Sequence, residues 1–396
     1  GGFVKRGTGT LTLDARAATA PWCLTTALGT GANGRPASSA VTGFPADGSA
    51  PTAGVAGLTV AEGEVVLRGS GSCVRHTAPG VIVVGLNATN ADARVQATLT
   101  LDNAELYNYA SKSVHVFVGY GAGRAEAQQV TPTLRILNGS NLICDTLRVG
   151  VDSFASPSGT HATLAMTNAT VRAGSIYFSD STTPQASTVV RCKDSELTSG
   201  TYPIYVHGAI DAVFDNCWIG RDNREQRLTD QPTQFGLYSW NYHYPTGQVA
   251  FVNGTTLHAT LCNFAGLQKG MTLLFDDAEW NYGNDADYTF AASAASDALT
   301  MRLCGKGLVL RPAAGTTFTT EIPLVGDGGV CNLGAGTVKF AEGSYGFTGT
   351  CSTGADATVD LTDAGTLAAV RVSGAGTFTG VSAQKTTLAV TVADDG

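Results

Sequence analysis

The sequence predicts an all-β fold, a right-handed, single-stranded parallel β-helix (β-solenoid) with loop insertions, and three observations predict it. The first is composition: 49 Gly, 43% hydrophobic residues and only 14% charged, a balance that favours short strands and tight turns over helices. The second is a recurring string, apolar–x–apolar–x–Asn/Asp–small–x–apolar, between about Ala97 and Asn284. The third is a glycine string near both ends. Residues 1–13, GGFVKRGTGTLTL, align with residues 328–340 so that Gly7, Gly9 and Thr10 fall on Gly334, Gly336 and Thr337. Leu11 and Leu13 then fall on Val338 and Phe340. A Gly-x-Gly turn followed by Thr-φ-x-φ makes a chain reversal and a short strand with alternate side chains on one face.

Residues 1–80 begin with the first repeat strand at Thr10 to Leu13. A Gly/Ala/Ser/Pro-rich excursion from Ala15 to Thr52 follows, read as a surface loop because it has no period and few large apolar residues. A strand pair within residues 57–69 ends this segment.

Residues 81–304 carry the second string. Examples are Leu99-Thr-Leu101-Asp-Asn103-Ala-Glu-Leu106 and Ala212-Val-Phe214-Asp-Asn216-Cys-Trp-Ile219. The aligned corner residues are Asn103, Asn138, Asn168, Asp194, Asn216, Asn253 and Asp277, separated by 35, 30, 26, 22, 37 and 24 residues. Helical solenoids hold a fixed period, whereas a β-helix keeps its strands and lets the loops between them grow. Two inward apolar residues precede each corner. Asn and Asp suit the corner because they bond local backbone and tolerate the left-handed region. Stacked coil on coil, such residues form a structural ladder of side chains. The N-x-Ser/Thr matches at Asn168 and Asn253 coincide with these corners and are read as composition. Coils of roughly 25–30 residues are expected. The whole of 1–396 is then one β-helix domain: glycine-turn coils over 1–80 and 305–396, with Asn-cornered coils between.

Two resemblances follow from these strings. The middle block resembles the parallel β-helices of the pectin-lyase-like superfamily, on strings such as that of Ala212 to Ile219. The glycine strings, Gly-Gly-x4-Gly-x-Gly-Thr-φ-x-φ with Ser344-Tyr-Gly-Phe-Thr-Gly349 after it, are similar to the autotransporter-associated β-strand repeat. That resemblance covers roughly the first 70 and last 90 residues. It implies a β-helical stalk of a bacterial cell-surface or secreted (extracellular) protein, a passenger-like adhesin or fibre. The chain departs from it in carrying nine Cys and in showing no C-terminal run of amphipathic membrane strands.

Net charge is −8 with scattered charges, and no Lys/Arg cluster is present to release counterions from a phosphate backbone, so nucleic acid is not an expected partner. No 18-residue apolar run predicts a membrane span in this chain. The nine Cys match no zinc spacing. Disulfides in an oxidising compartment are expected, with Cys331/Cys351 and Cys23/Cys73 the pairs to test first.

The segment 220–247 breaks the coil rhythm and concentrates polar and aromatic side chains, among them Arg221, Asp222, Arg227, Asp230 and Phe235. The residues singled out for ligand binding are Arg224, Tyr238, Trp240, Tyr242, His243 and Tyr244. Ring faces stack on the C–H surface of sugars while polar groups read hydroxyls. The competing reading is a self-packed loop on the flank of the coil.

No catalytic residue is assigned: carboxylates are present (Asp211, Asp215, Asp222, Asp230) but form no acid/base signature. Asp276, Asp277, Asp285 and Asp287 could gather Ca²⁺, yet lack an ordered ligand loop. The six His stand apart in sequence, and no metal or cofactor is expected. The leading function is a non-enzymatic structural or adhesive stalk unit, with a glycan or host-surface ligand as partner. The alternatives are a polysaccharide-active lyase or glycoside hydrolase, and a glycan-binding module using 220–247. Uncapped ends admit two further readings, a fragment of a longer passenger or subunits self-associating head to tail into a filament.

Overall fold

The computed structural model describes residues 3–14, 16, 22–24, 58–69, 73–76, 80–86, 95–108, 114–121, 130–152, 161–179, 187–200, 202–222, 226–237, 245–267, 270–294, 297–367, 370–380 and 388–390. Their regular elements are strands and one 3-10 turn at Ala292–Ala294. The strands pair in parallel with the strand one coil away, so each unit of the chain is a parallel β-solenoid. The chain divides into two compact units. One comprises Gly1–Ala212, Asp222–Arg227 and Tyr238–Pro245; the other comprises Val213–Arg221, Leu228–Leu237 and Thr246–Gly396.

In the first unit each coil has three strand positions. The first is the stack Thr10–Asp14, Gly63–Arg68, Val95–Asp102, Val130–Leu137, His161–Thr167 and Ser187–Lys193, in that order, and its last four strands lead into the corners Asn103, Asn138, Asn168 and Asp194. Register places Leu99, Leu134, Leu164 and Val190 in one inward row and Leu101, Ile136, Met166 and Cys192 in the next, all essentially buried. Alternation along the strand sends every second side chain inward, and full burial of each large apolar one contributes roughly 1.5–3 kcal/mol.

The second and third positions are the two halves of long, bent strands in two coils. In Thr170–Phe178, Thr170 to Ala173 pair with Glu196–Ser199, while Ile176 to Phe178 pair with Ile204–Val206.

The corners share one backbone geometry. Asn103, Asn138, Asn168, Asp194, Asn216, Asn253 and Asp277 have φ between 47° and 58°, the left-handed region where a Cβ is tolerated best in Asn and Asp. The ladder of backbone bonds continues through them. The Asn103 N–H donates to Leu137 O at 3.2 Å, and Asn168 N–H to Lys193 O at 3.1 Å.

The residue after the corner is small because it turns inward under the next coil. Ala104 N–H donates to the Ser140 hydroxyl at 3.0 Å, Ala169 N–H to Ser195 at 3.2 Å, and Cys217 N–H to Thr255 at 3.1 Å. The corner side chains themselves are mostly exposed. Asn138 and Asn253 reach back to the carboxylates of Asp102 and Asp215 one coil earlier, 2.7 and 2.9 Å away. These two bonds are amide to carboxylate, not the amide-to-amide stacking that the repeated Asn suggests.

The second unit tightens along its length. The steps Leu324 to Tyr345 and Val330 to Cys351 are each 21 residues, shorter than the expected coil, because the connections shrink to a few residues. Three strand positions persist here, as in Leu299–Leu303, Leu308–Leu310 and Thr317–Thr320. Glycines make the close corners: a Cβ on Gly329 would lie 1.9 Å from Thr350 O, and one on Gly336 2.2 Å from Ala313 O. Phe214, Phe251 and Phe275 stack along the core, with ring centroids 5.7 and 5.2 Å apart. Trp280, fully buried, donates its indole N–H to Ala259 O at 2.8 Å.

Two sequence expectations need correction, and one sequence alignment does not carry over into position in the coil. The excursion after Ala15 contains a strand, Trp22–Leu24, paired with Cys73–His76; three residues of a solenoid strand carry too little pattern to stand out. The two copies of the glycine string do not occupy equivalent positions. Thr10–Asp14 stacks on the strands that enter the Asn corners, whereas Thr337–Phe340 stacks on Thr317–Thr320, two strands past that point in the coil. The string therefore marks a turn-and-strand step and not a fixed place in the coil.

Finally, Cys331 and Cys351 are free thiols. Register pairs Cys351 with Val330 and Cys331 with Ser352, so one thiol points in and the other out, and no bridge can form between opposite faces of a strand pair. Cys23 sits opposite Arg75, two residues beyond Cys73, and these two side chains lie outside the description.

Candidate functional site

Arg224, Tyr238, Trp240, Tyr242, His243 and Tyr244 lie outside the described residues. The described flanks of the same segment are structural. Phe235, grouped by sequence with the loop aromatics, is fully buried on the strand Thr233–Leu237, paired with the second half of Thr256–Cys262 and 6.0 Å from Phe251. Its burial follows from a strand hidden inside a segment that reads as polar. Asp222 is 2% exposed and faces the Arg172 guanidinium at 3.3 Å. Arg227 bonds Glu196 at 3.1 Å. Asp230 is exposed in a turn.

Most of the carboxylates considered for catalysis or Ca²⁺ have partners in another coil. Asp211 pairs with Arg191, and Asp215 accepts the Asn253 amide. Asp277 pairs with Lys306 at 2.9 Å, Asp276 accepts the Lys306 N–H, and Asp287 accepts the Thr317 N–H at 2.8 Å. Among the described residues no group of three or more His, Cys, Asp or Glu is arranged to hold a metal ion.

Four constellations emerge that sequence alone does not assemble. In the first unit Arg148, Tyr177 and Tyr205 share one outward row on successive coils. The guanidinium lies 4.5 Å from the Tyr177 ring, the two tyrosine centroids are 5.5 Å apart, and buried His207 sits 5.3 Å from Tyr177. The cation lies over the Tyr177 ring, which stabilises the stack. Also in that unit, His161 Nδ1 meets the Ser187 hydroxyl at 2.6 Å on an exposed row.

Two hollows complete the set. One, of about 300 Å³, is polar and lined by Thr8, Thr10, Glu62, Gly63, Glu64, Gln96 and Thr98. Its Glu64 is held by the hydroxyls of Thr10 and Thr100 at 3.2 and 2.9 Å. The other, of about 320 Å³, lies in the second unit between successive corners, with an apolar floor and two acidic side chains. The signal for all four is register: residues such as Arg148, Tyr177 and Tyr205 meet only once the coil lengths that align them are known.

Comparison with protein-family models, with curated proteins and with solved structures finds no match to this chain.

Proposed function

We propose that this chain is a non-enzymatic structural and adhesive unit of a bacterial cell-surface or secreted protein, one segment of a β-helical stalk. The observation that carries the reading is that most of its ion pairs run from coil to coil. Arg68–Asp102, Arg172–Asp222, Arg191–Asp211, Arg227–Glu196, Lys306–Asp277, Arg311–Glu279 and Lys339–Asp363 all link residues of different coils. A hydrolytic or eliminating site would instead hold a pair of carboxylates free to act on one bond. Side chains that bind coil to coil strengthen a solenoid against separation of its repeats, which is what a surface stalk under tension requires.

On this reading the partners are neighbouring subunits stacked head to tail and a glycan or host-surface ligand. The resemblance to autotransporter-associated repeats is consistent with that setting. The test is a panel of acidic and neutral polysaccharides assayed for new reducing ends and for unsaturated products. The expected result is no turnover by the folded chain. Turnover abolished by Asp230→Ala would overturn the proposal in favour of a polysaccharide-active enzyme; that side chain is exposed, so its loss leaves the fold intact.

A further inference from the structure

The apolar hollow of the second unit has a structural cause. Eight residues, 291–298, connect Phe290 to Leu299, whereas three, 321–323, connect Thr320 to Leu324 at the equivalent corner of the next coil. The two strand pairs on either side are in register, Tyr288–Phe290 on Thr317–Thr320 and Leu299–Leu303 on Leu324–Gly326. A long corner therefore stands beside a short one and leaves a notch of about 320 Å³.

Its floor is Leu299, Ile322, Pro323 and Val325, and its rim carries Asp297, Thr300 and Glu321. Glu321 is fixed in place: its own N–H donates to Phe290 O at 3.0 Å, and one carboxylate oxygen accepts the Ala292 N–H at 2.9 Å. The second oxygen is not used by that bond. Asp297 is exposed on the rim.

We propose that this notch docks a lysine side chain of a partner protein, its four-carbon stem on the apolar floor and its ammonium between Asp297 and Glu321. Charge complementarity selects a cation. The floor selects the stem, because a long alkyl chain covers apolar surface while its charged head stays at the wet rim. An amino sugar carries the same ammonium, but its hydroxyls would face an apolar floor with one neutral hydroxyl, Thr300, at the rim, and so would lose water without replacement. The notch goes beyond the stalk reading and does not depend on it, since it concerns one corner pair and not the repeat.

The probes are Nα-acetyl-lysine amide, its uncharged analogue Nα-acetyl-norleucine amide, and glucosamine, each titrated into the full chain while the methyl NMR signals of Ile322, Leu299 and Val325 are followed. Saturable shifts of these methyls with the lysine probe are expected, with little response to the other two. Binding should weaken at least tenfold in Glu321→Gln combined with Asp297→Asn. The Gln can still accept the Ala292 N–H, so the notch keeps its shape, and Asp297→Asn alone should give an intermediate loss. Equal or tighter binding of glucosamine would overturn the lysine assignment. Equal binding of norleucine amide, unchanged affinity in the double variant, or no saturable shift would overturn the site.

Discussion

Asn138 donates its side-chain amide to the Asp102 carboxylate 2.7 Å away, one coil back, and Arg68 bonds the other oxygen of Asp102 at 2.8 Å from the coil before. Three coils are thus tied through one carboxylate. The Asn138 amide chiefly holds the Asp102 carboxyl below the usual carboxylate range, against an upward push from burial and with further help from Arg68.

That depression has a definite sign in stability. With the folded value below the unfolded one, the contribution is present in full above the ordinary carboxylate pKa of about 3.9 and is lost as pH falls through the lowered folded value. Urea midpoints should therefore drop more steeply on acidification below about pH 4 in the wild type than in Asp102→Asn. Parallel acid profiles would contradict this.

The corner conformation gives a second prediction. Asn168 sits at φ 47°, so Asn168→Ala should cost about 1 kcal/mol, because alanine keeps the Cβ that crowds the left-handed backbone and loses the polar group whose local hydrogen bonding offsets it. Asn168→Gly should stay within about 0.5 kcal/mol of wild type. Asn138→Ala loses the Asp102 bond as well and should cost about 0.5–1 kcal/mol more than Asn168→Ala. Urea denaturation of the three variants measures all of this, and a Gly variant worse than the Ala variant would refute the conformational account.

A third prediction concerns Arg172 and Asp222. Removing one partner of a mostly buried pair leaves the other charge desolvated, at about 3–5 kcal/mol. Asp222→Leu should therefore be clearly destabilised in urea, and adding Arg172→Met should recover part of the loss. No recovery in the double variant would show that the two side chains are not coupled.

The thiols supply a fourth. Burial pushes Cys262 up to about 11 and Cys351 well above the usual thiol range. Since the thiolate is the reactive form, both should resist a disulfide-exchange reagent near neutral pH in the folded protein. The seven cysteines with described side chains form no disulfide, so unfolding without reductant should release at least seven reactive thiols per chain. A lower count would mean that disulfides form.

What the sequence determined by itself is what short stretches of chain encode. The inward rows, such as Leu99, Leu134 and Leu164, follow from alternation along single strands. The corner residues, Asn103 to Asp277, stand out because left-handed backbone restricts the residue type at one position. Parallel β-solenoid architecture follows from the two together.

Tertiary structure decided everything that depends on register between coils. It alone places Cys331 outward beside an inward Cys351, buries Phe235 from a polar segment, and brings Asp222 to Arg172. The notch at Glu321 and Asp297 exists because two neighbouring corners differ in length by five residues. Corner lengths are plain in the sequence, but which corners are neighbours is set by how the apolar rows stack. Local periodicity fixes which way a side chain points within its strand; only the stacking of coils fixes what it meets.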